Sequence, residues 1–156
     1  MTASAPNHEL SFSRVIDAPR ASVYRCWTEP DLMKQWFTPR PYTTPVVEVD
    51  VRPGGSNFIL MKSPDGMEIP NRGIYLDVVP NERLVFTDAY TEAWVPSGKP
   101  FMTAILTFED AGAGQTLYTA TVRHWTLADC EAHKNMGFHD GWGKAADQLE
   151  TLAKTL

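Results

Sequence analysis

The hydrophobic period of this chain changes for the last time near residue 125. Between Val46 and His124, apolar and polar residues alternate in short runs broken by turn residues. Beyond Thr126 the apolar set is Phe138, Gly141, Trp142, Ala145, Leu149 and Leu152, which recurs at steps of three and four. Period two puts one face of a strand inward, and a period near 3.6 puts one stripe of a helix inward. Strands grouped together and followed by one amphipathic helix exclude the alternating pattern of a doubly wound sheet and point to an α+β fold. An antiparallel sheet with one apolar face needs a cover, and the C-terminal helix is the available one.

The other elements follow from local signals. Leu10 to Ile16 reads as a strand, with Leu10, Phe12, Arg14 and Ile16 on one face. Asp17-Ala18-Pro19 reads as a helix start, with Asp17 or Ala18 near the cap and Pro19 in the first turn. Val23, Tyr24 and Trp27 share one side of that helix. A short second helix opens at Pro30-Asp31 and carries Leu32, Met33, Trp36 and Phe37. Val47, Val49 and Val51 then alternate with Glu48 and Asp50. Further strands are predicted at Phe58–Lys62, Ile69–Val79, Arg83–Tyr90, Pro100–Glu109 and Gln115–His124. The turn markers between them are Arg52-Pro53-Gly54-Gly55, Pro64-Asp65-Gly66, Pro80-Asn81, Pro96-Ser97-Gly98 and Gly112-Ala113-Gly114. Thr126 or Asp129 is the expected cap of the final helix. Glycines 137, 141 and 143 weaken that helix by propensity and, on its inner side, admit a close approach of the sheet or a ligand.

The organisation expected is a flexible tail over residues 1–8 and a single domain over 9–156. The chain has 156 residues, 43% of them hydrophobic and 21% charged, which suits a packed core and excludes a wholly disordered chain. Fourteen Lys and Arg stand against nineteen Asp and Glu, a net charge of −5. That acidity disfavours nucleic acid and anionic membrane surfaces as partners. No apolar run reaches the length of a membrane helix, and Met1 to Leu10 lacks a signal-peptide core, so the expected compartment is the cytoplasm. Cys26 and Cys130 form no CxxC and read as buried free thiols.

Several motifs occur together in order: Val15-Ile16-Asp17-Ala18-Pro19 with Trp27, Pro30 and Trp36; Asp50-Val51-Arg52-Pro53-Gly54-Gly55; Pro64-Asp65-Gly66; Val79 to Thr87; and Met136-Gly137-Phe138-His139-Asp140-Gly141-Trp142. This set resembles the helix-grip superfamily, known as SRPBCC, START-like or birch-pollen-allergen-like. Within it, the set resembles the branch named for the activator of the heat-shock protein 90 ATPase. The resemblance runs from about Glu9 to Leu152. It implies a curved antiparallel sheet of about seven strands wrapped on a long C-terminal helix, two short helices after the first strand, and an elongated apolar cavity between sheet and helix. Carriers, cyclases and stress-linked proteins share this scaffold, so function must come from the site.

Catalytic and metal motifs are few. The histidines at 8, 124, 133 and 139 lack metal-ligand spacing, and His133 and His139 read as a solvated helix surface. No nucleophile elbow or phosphate loop is complete, and no cofactor or metal is expected. The candidate set is aromatic and sulfur-rich instead: Trp36, Phe37, Met61, Tyr75, Phe86, Trp94, Met102 and Met136, of types that hold a flat or greasy molecule. Asp88, His124 and Asp140 interrupt apolar surroundings. In a dry cavity any of them is a candidate acid or base, with Tyr75 and Arg123 as further groups to orient a ligand. The plainer reading pairs Asp140 with Lys144 at the surface and leaves His124 in water at a strand end. Asp88 among Leu84, Phe86 and Tyr90 needs a partner if buried.

The leading expectation is a protein that binds a small hydrophobic or aromatic molecule. The alternatives are an acid–base enzyme of cyclase or dehydratase type on a polyketide-like substrate, and a co-chaperone-like interaction domain. The expected lone domain lacks the N-terminal domain of the eukaryotic activator, which ranks a chaperone partner last. A homodimer through a strand edge or the Trp94 loop is compatible with the pattern.

Overall fold

The computed structural model describes residues 8–92 and 94–156. The expected tail lies outside the described residues except for His8. The chain opens with β1 (Glu9–Ile16), followed by α1 (Arg20–Thr28) and α2 (Pro30–Trp36). Next come β2 (Thr43–Val49), β3 (Ser56–Lys62), β4 (Glu68–Val79) and β5 (Arg83–Thr87). A small hairpin, β6 (Tyr90–Glu92) and β7 (Val95–Pro96), precedes β8 (Met102–Asp110) and β9 (Thr116–His124). Two helices close the chain, α3 (Leu127–Asn135) and α4 (Phe138–Ala153).

The main sheet has seven strands in the order β1-β9-β8-β5-β4-β3-β2, every neighbouring pair antiparallel. The first strand therefore lies against the last. Alternation decides the faces: Tyr118, Ala120 and Val122 of β9 and Ala104, Leu106 and Phe108 of β8 are buried, while the residues between them are not. On β1 the inward set is Leu10, Phe12, Arg14 and Ile16, which settles the face of that strand.

Helix α4 lies across this inner face with Phe138, Ala145, Ala146, Leu149 and Ala153 buried. Polar contacts fix its position. Arg14 reaches inward from β1 to Asp147 and Glu150, both at 2.5 Å. The Asp17 amide donates to Glu150 at 2.6 Å. Gln148 donates to the carbonyls of Trp36 and Thr38 at 2.8 and 3.0 Å and accepts from the Arg40 amide at 3.0 Å. The C-terminal helix is thus tied to both the first strand and the loop after α2.

Three expectations need correction. The predicted strand to Tyr90 stops at Thr87, because the Asp88 carboxylate takes the amides of Phe101 and Met102 and turns the chain away from the ladder. Neither Asp17 nor Ala18 caps α1; Pro19 occupies that position without a side-chain hydrogen bond. The segment after Thr126 is two helices, not one. Gly137 stands between them at φ 92°, left-handed backbone that glycine adopts without penalty. Thr126 does cap α3, its Oγ1 accepting from the Asp129 amide at 3.0 Å. Both cysteines are buried and free.

Candidate functional site

The interior divides into two buried clusters. The larger centres on Trp27, Trp36, Leu84, Leu106, Tyr118 and Leu149. The smaller holds Leu10, Ala104, Val122, Cys130 and Phe138. Phe12, Phe86 and Trp142 pack against both clusters yet stay only partly buried. These three rings therefore join the two clusters.

Trp27 organises the aromatic lining. Its indole lies 4.9 Å from Trp36, 5.7 Å from Phe37 and 5.8 Å from Phe86, and stacks on Trp142 at 6.2 Å. Its Nε1 donates to the Tyr118 hydroxyl at 3.1 Å, and Trp36 Nε1 donates to the Cys26 carbonyl at 2.8 Å. Both indole N–H groups are satisfied inside protein, so the rings hold fixed orientations within the core. On α4, Gly141 is half-buried, and a Cβ built there meets no atom within 4 Å. The space next to Gly141, the residue before Trp142 on the helix that grips the sheet, is thus open. Burial pushes the phenols of Tyr75 and Tyr118 up from their ordinary value, so both stay neutral hydroxyls at physiological pH.

The structure brings together some of the sequence candidates and separates others. Trp36, Phe37, Tyr75 and Phe86 belong to the aromatic interior. Met102 packs half-buried on the smaller cluster, and Met61 is half-buried on β3. Trp94, on the β6–β7 hairpin, is 87% exposed, and Met136, at the end of α3, is 77% exposed. Neither lines the interior. Asp140 pairs with Lys144 at 3.1 Å on the surface of α4, as the plainer reading had it. Asp88 has found its partners, accepting from the amides of Phe101 and Met102 at 2.8 and 3.0 Å. Arg123 alternates with buried Val122 and His124, so it points to the outer face of the sheet, where it meets Glu9 at 3.1 Å.

His124 needs correction. It is 6% exposed rather than in water, because α3 folds over the end of β9. Its Nε2 lies 2.8 Å from His133 Nδ1, and its Nδ1 lies 3.0 Å from the His8 carbonyl. His133, expected on a solvated face, is half-buried between Phe101 and Phe138. Sequence reasoning also left Trp27 out of the candidate set. Its signal was its place on the apolar side of α1, which any core tryptophan shares.

Two surface hollows lie apart from the aromatic interior. One, of about 400 Å³, is lined by Arg20, Val79, Glu82, Arg83 and the end of β8. Its arginines are already paired, Arg20 with Asp110 at 3.6 Å and Arg83 with Asp77 at 2.7 Å. The other, of about 300 Å³, lies over Arg40, Lys144, Asp147, Gln148 and Thr151. Among the described residues, no group of three or more His, Cys, Asp or Glu converges as metal ligands. No helix among them is long and apolar enough to cross a membrane.

Comparison with known proteins adds three solved structures. A protein from Nitrosomonas europaea is 37% identical, with TM-score 0.92, covering 98% of this chain and 97% of its own. A Staphylococcus epidermidis protein is 27% identical, with TM-score 0.79, covering 99% of this chain and 94% of its own. A Mycobacterium smegmatis protein at 22% identity and TM-score 0.79 covers 96% and 92%, and shows the fold alone. No curated protein sequence matches the chain. Residues 17–154 match the family described as activator of Hsp90 ATPase homolog 1-like protein.

Proposed function

The chain belongs to the activator of Hsp90 ATPase homolog 1-like family, and from that premise we propose that it binds a small hydrophobic or aromatic molecule between the sheet and α4. The observation that carries this reading is the junction of the two core clusters, where Phe12, Phe86 and Trp142 remain partly buried, together with the room at Gly141. A flat ligand entering there meets the edges and faces of Trp142, Phe86 and Phe37, which suit offset or edge-on contacts. Apolar burial supplies the affinity, at about 25 cal/mol per Å² removed from water. The fixed rings need little reordering, so little of that gain is lost on binding. Binding of hydrophobic ligands, common in this family, agrees with this reading.

An acid–base enzyme needs a spare titratable group in the same space. The Asp88 carboxylate is engaged by two amides and Asp140 faces solvent, so neither favours that reading.

The test is a paired measurement on the wild type and Gly141→Leu. Native mass spectrometry against the denatured mass detects a retained molecule, and a fluorescent naphthalene sulfonate reports an accessible apolar site. We expect the wild type to bind the probe and Gly141→Leu to fill the room and lose binding. Replacing a helical glycine also raises helix propensity, so the variant should gain up to about 1 kcal/mol of stability. Equal probe binding by both proteins refutes the site. Absence of both probe binding and a retained molecule refutes the function.

A further inference from the structure

Helix α3 is held in an unusual way. Cys130 is its single buried residue, and its ends are marked by the Thr126 cap and the left-handed Gly137. Its polar tie to the sheet is the contact between His133 and His124. The proton positions on that pair follow from the acceptors. A carbonyl only accepts, so His124 Nδ1 carries the hydrogen that bonds His8. In the neutral ring, His124 Nε2 is then a bare lone pair, and His133 Nδ1 must donate to it. The pair accommodates one added proton, on the outer nitrogen of His133. That proton leaves a cation half-buried between two phenyl rings, and opening of α3 returns it to water.

The surroundings do little to offset that charge. Phe101 and Phe138 flank His133 at 5.2 and 5.0 Å. From β1, Glu9 is paired with Arg123 of β9 on the opposite sheet face. Asp88, at the start of the loop to β8, is engaged by the Phe101 and Met102 amides. On α4, His139 binds the Ser11 carbonyl at 3.1 Å. On α3 itself stand Asp129, Glu131 and Lys134. Among the described residues, neither imidazole of the pair has a carboxylate within ion-pair distance.

We propose that the His124–His133 pair is an acid-sensitive latch, and that its protonation releases α3 from the smaller core cluster while the sheet and α4 stay folded. The released segment uncovers Cys130 and Phe138. Phe138 lies 5.6 Å from Trp142, so the latch adjoins the aromatic lining. The device does not depend on a ligand being bound. In support, burial first and the neighbouring His124 second hold His133 down at about 4. Opening is the local kind that a weakly buried helix undergoes, and it gains at most about tenfold in population per pH unit for each proton taken up.

The cysteines supply the readout, because Cys130 lies under α3 and Cys26 in the larger cluster. The chain is labelled with a dipyridyl disulfide, whose reaction with thiols persists in acid. Rates are normalised to the urea-unfolded chain at each pH, and the labelled cysteine is located by mass spectrometry. Between about pH 5 and pH 4, Cys130 labelling should rise about fivefold while Cys26 stays silent. The variant His133→Gln keeps a neutral amide that donates to or accepts from His124, and should label slowly at both values. A flat wild-type profile, simultaneous labelling of both cysteines, or unchanged acceleration in His133→Gln overturns the latch. Nitrogen-15 spectra of the wild-type imidazoles need no variant. The bridging proton should vanish over the pH interval in which α3 amides lose protection, and its persistence alongside exposed α3 amides also overturns the proposal.

Discussion

Helices α3 and α4 are consecutive in sequence and separated only by Met136 and Gly137, yet they are attached by different physics. Helix α4 buries five side chains and is anchored by Arg14, Asp17 and the loop carbonyls that hold Gln148. Helix α3 buries one side chain and leans on a pair of imidazoles. Apolar burial is indifferent to pH, and a hydrogen bond between two titratable rings is not. One fold thus carries a permanent clamp and a conditional one side by side.

The largest expected effect tests the clamp. Leu149 is fully buried in the larger cluster. Leu149→Ala removes packed methyl groups and leaves a cavity, and should cost about 2–5 kcal/mol in urea unfolding. Cys130→Ala, the matching change under α3, removes one small group from the smaller cluster and should cost about 1 kcal/mol or less. Equal losses in the two variants would break the contrast, because α3 would then be as firmly seated as α4.

The next effect is the pH dependence of stability, and the two helices should lose it in different windows. His133 has its value lowered from 6.5 to about 4 in the folded chain. The unfolded chain therefore binds the extra proton first. Stability falls as pH drops from about 6.5 toward 4 and rises again on return. On α4, the Asp17 amide and then Arg14 hold the Glu150 carboxyl below its ordinary 4.5. That contribution is complete above 4.5 and is lost as pH falls further. Urea titrations from pH 7 downward should show both declines in the wild type and only the lower one in His133→Gln. Parallel curves for the two proteins would remove His133 from the account.

This contrast also explains what the sequence made legible. The stripe from Phe138 to Leu152 identified α4 because apolar periodicity is written in residue type alone. Turn markers placed the seven strands of the sheet for the same reason. The aromatic candidates Trp36, Phe37, Tyr75 and Phe86 emerged as a class, while the exposed Trp94 and Met136 emerged with them, since residue type does not reveal burial. The His124–His133 contact joins a strand end to a helix nine residues later, and no spacing rule announces it. Asp88 was recognised as needing a partner, but its partners are backbone amides of Phe101 and Met102, which any sequence supplies.

The smallest effect lies in two glycines of the same segment. Gly137 adopts φ 92° at the α3–α4 break, with no atom within 4 Å of an added Cβ. An alanine there meets no neighbour, so any cost is purely backbone, about 1 kcal/mol for a side chain in left-handed geometry. Gly141 is also free of neighbours, but it lies within α4 at ordinary helical angles. There the same substitution should stabilise by about 0.5–1 kcal/mol, since alanine restricts the unfolded chain and favours the helix. Thermal or urea unfolding of Gly137→Ala and Gly141→Ala should therefore move in opposite directions. If Gly137→Ala stabilises instead, α3 and α4 are able to fuse into the single helix that the hydrophobic stripe suggests. The conditional attachment of α3 would then lose the hinge on which it turns.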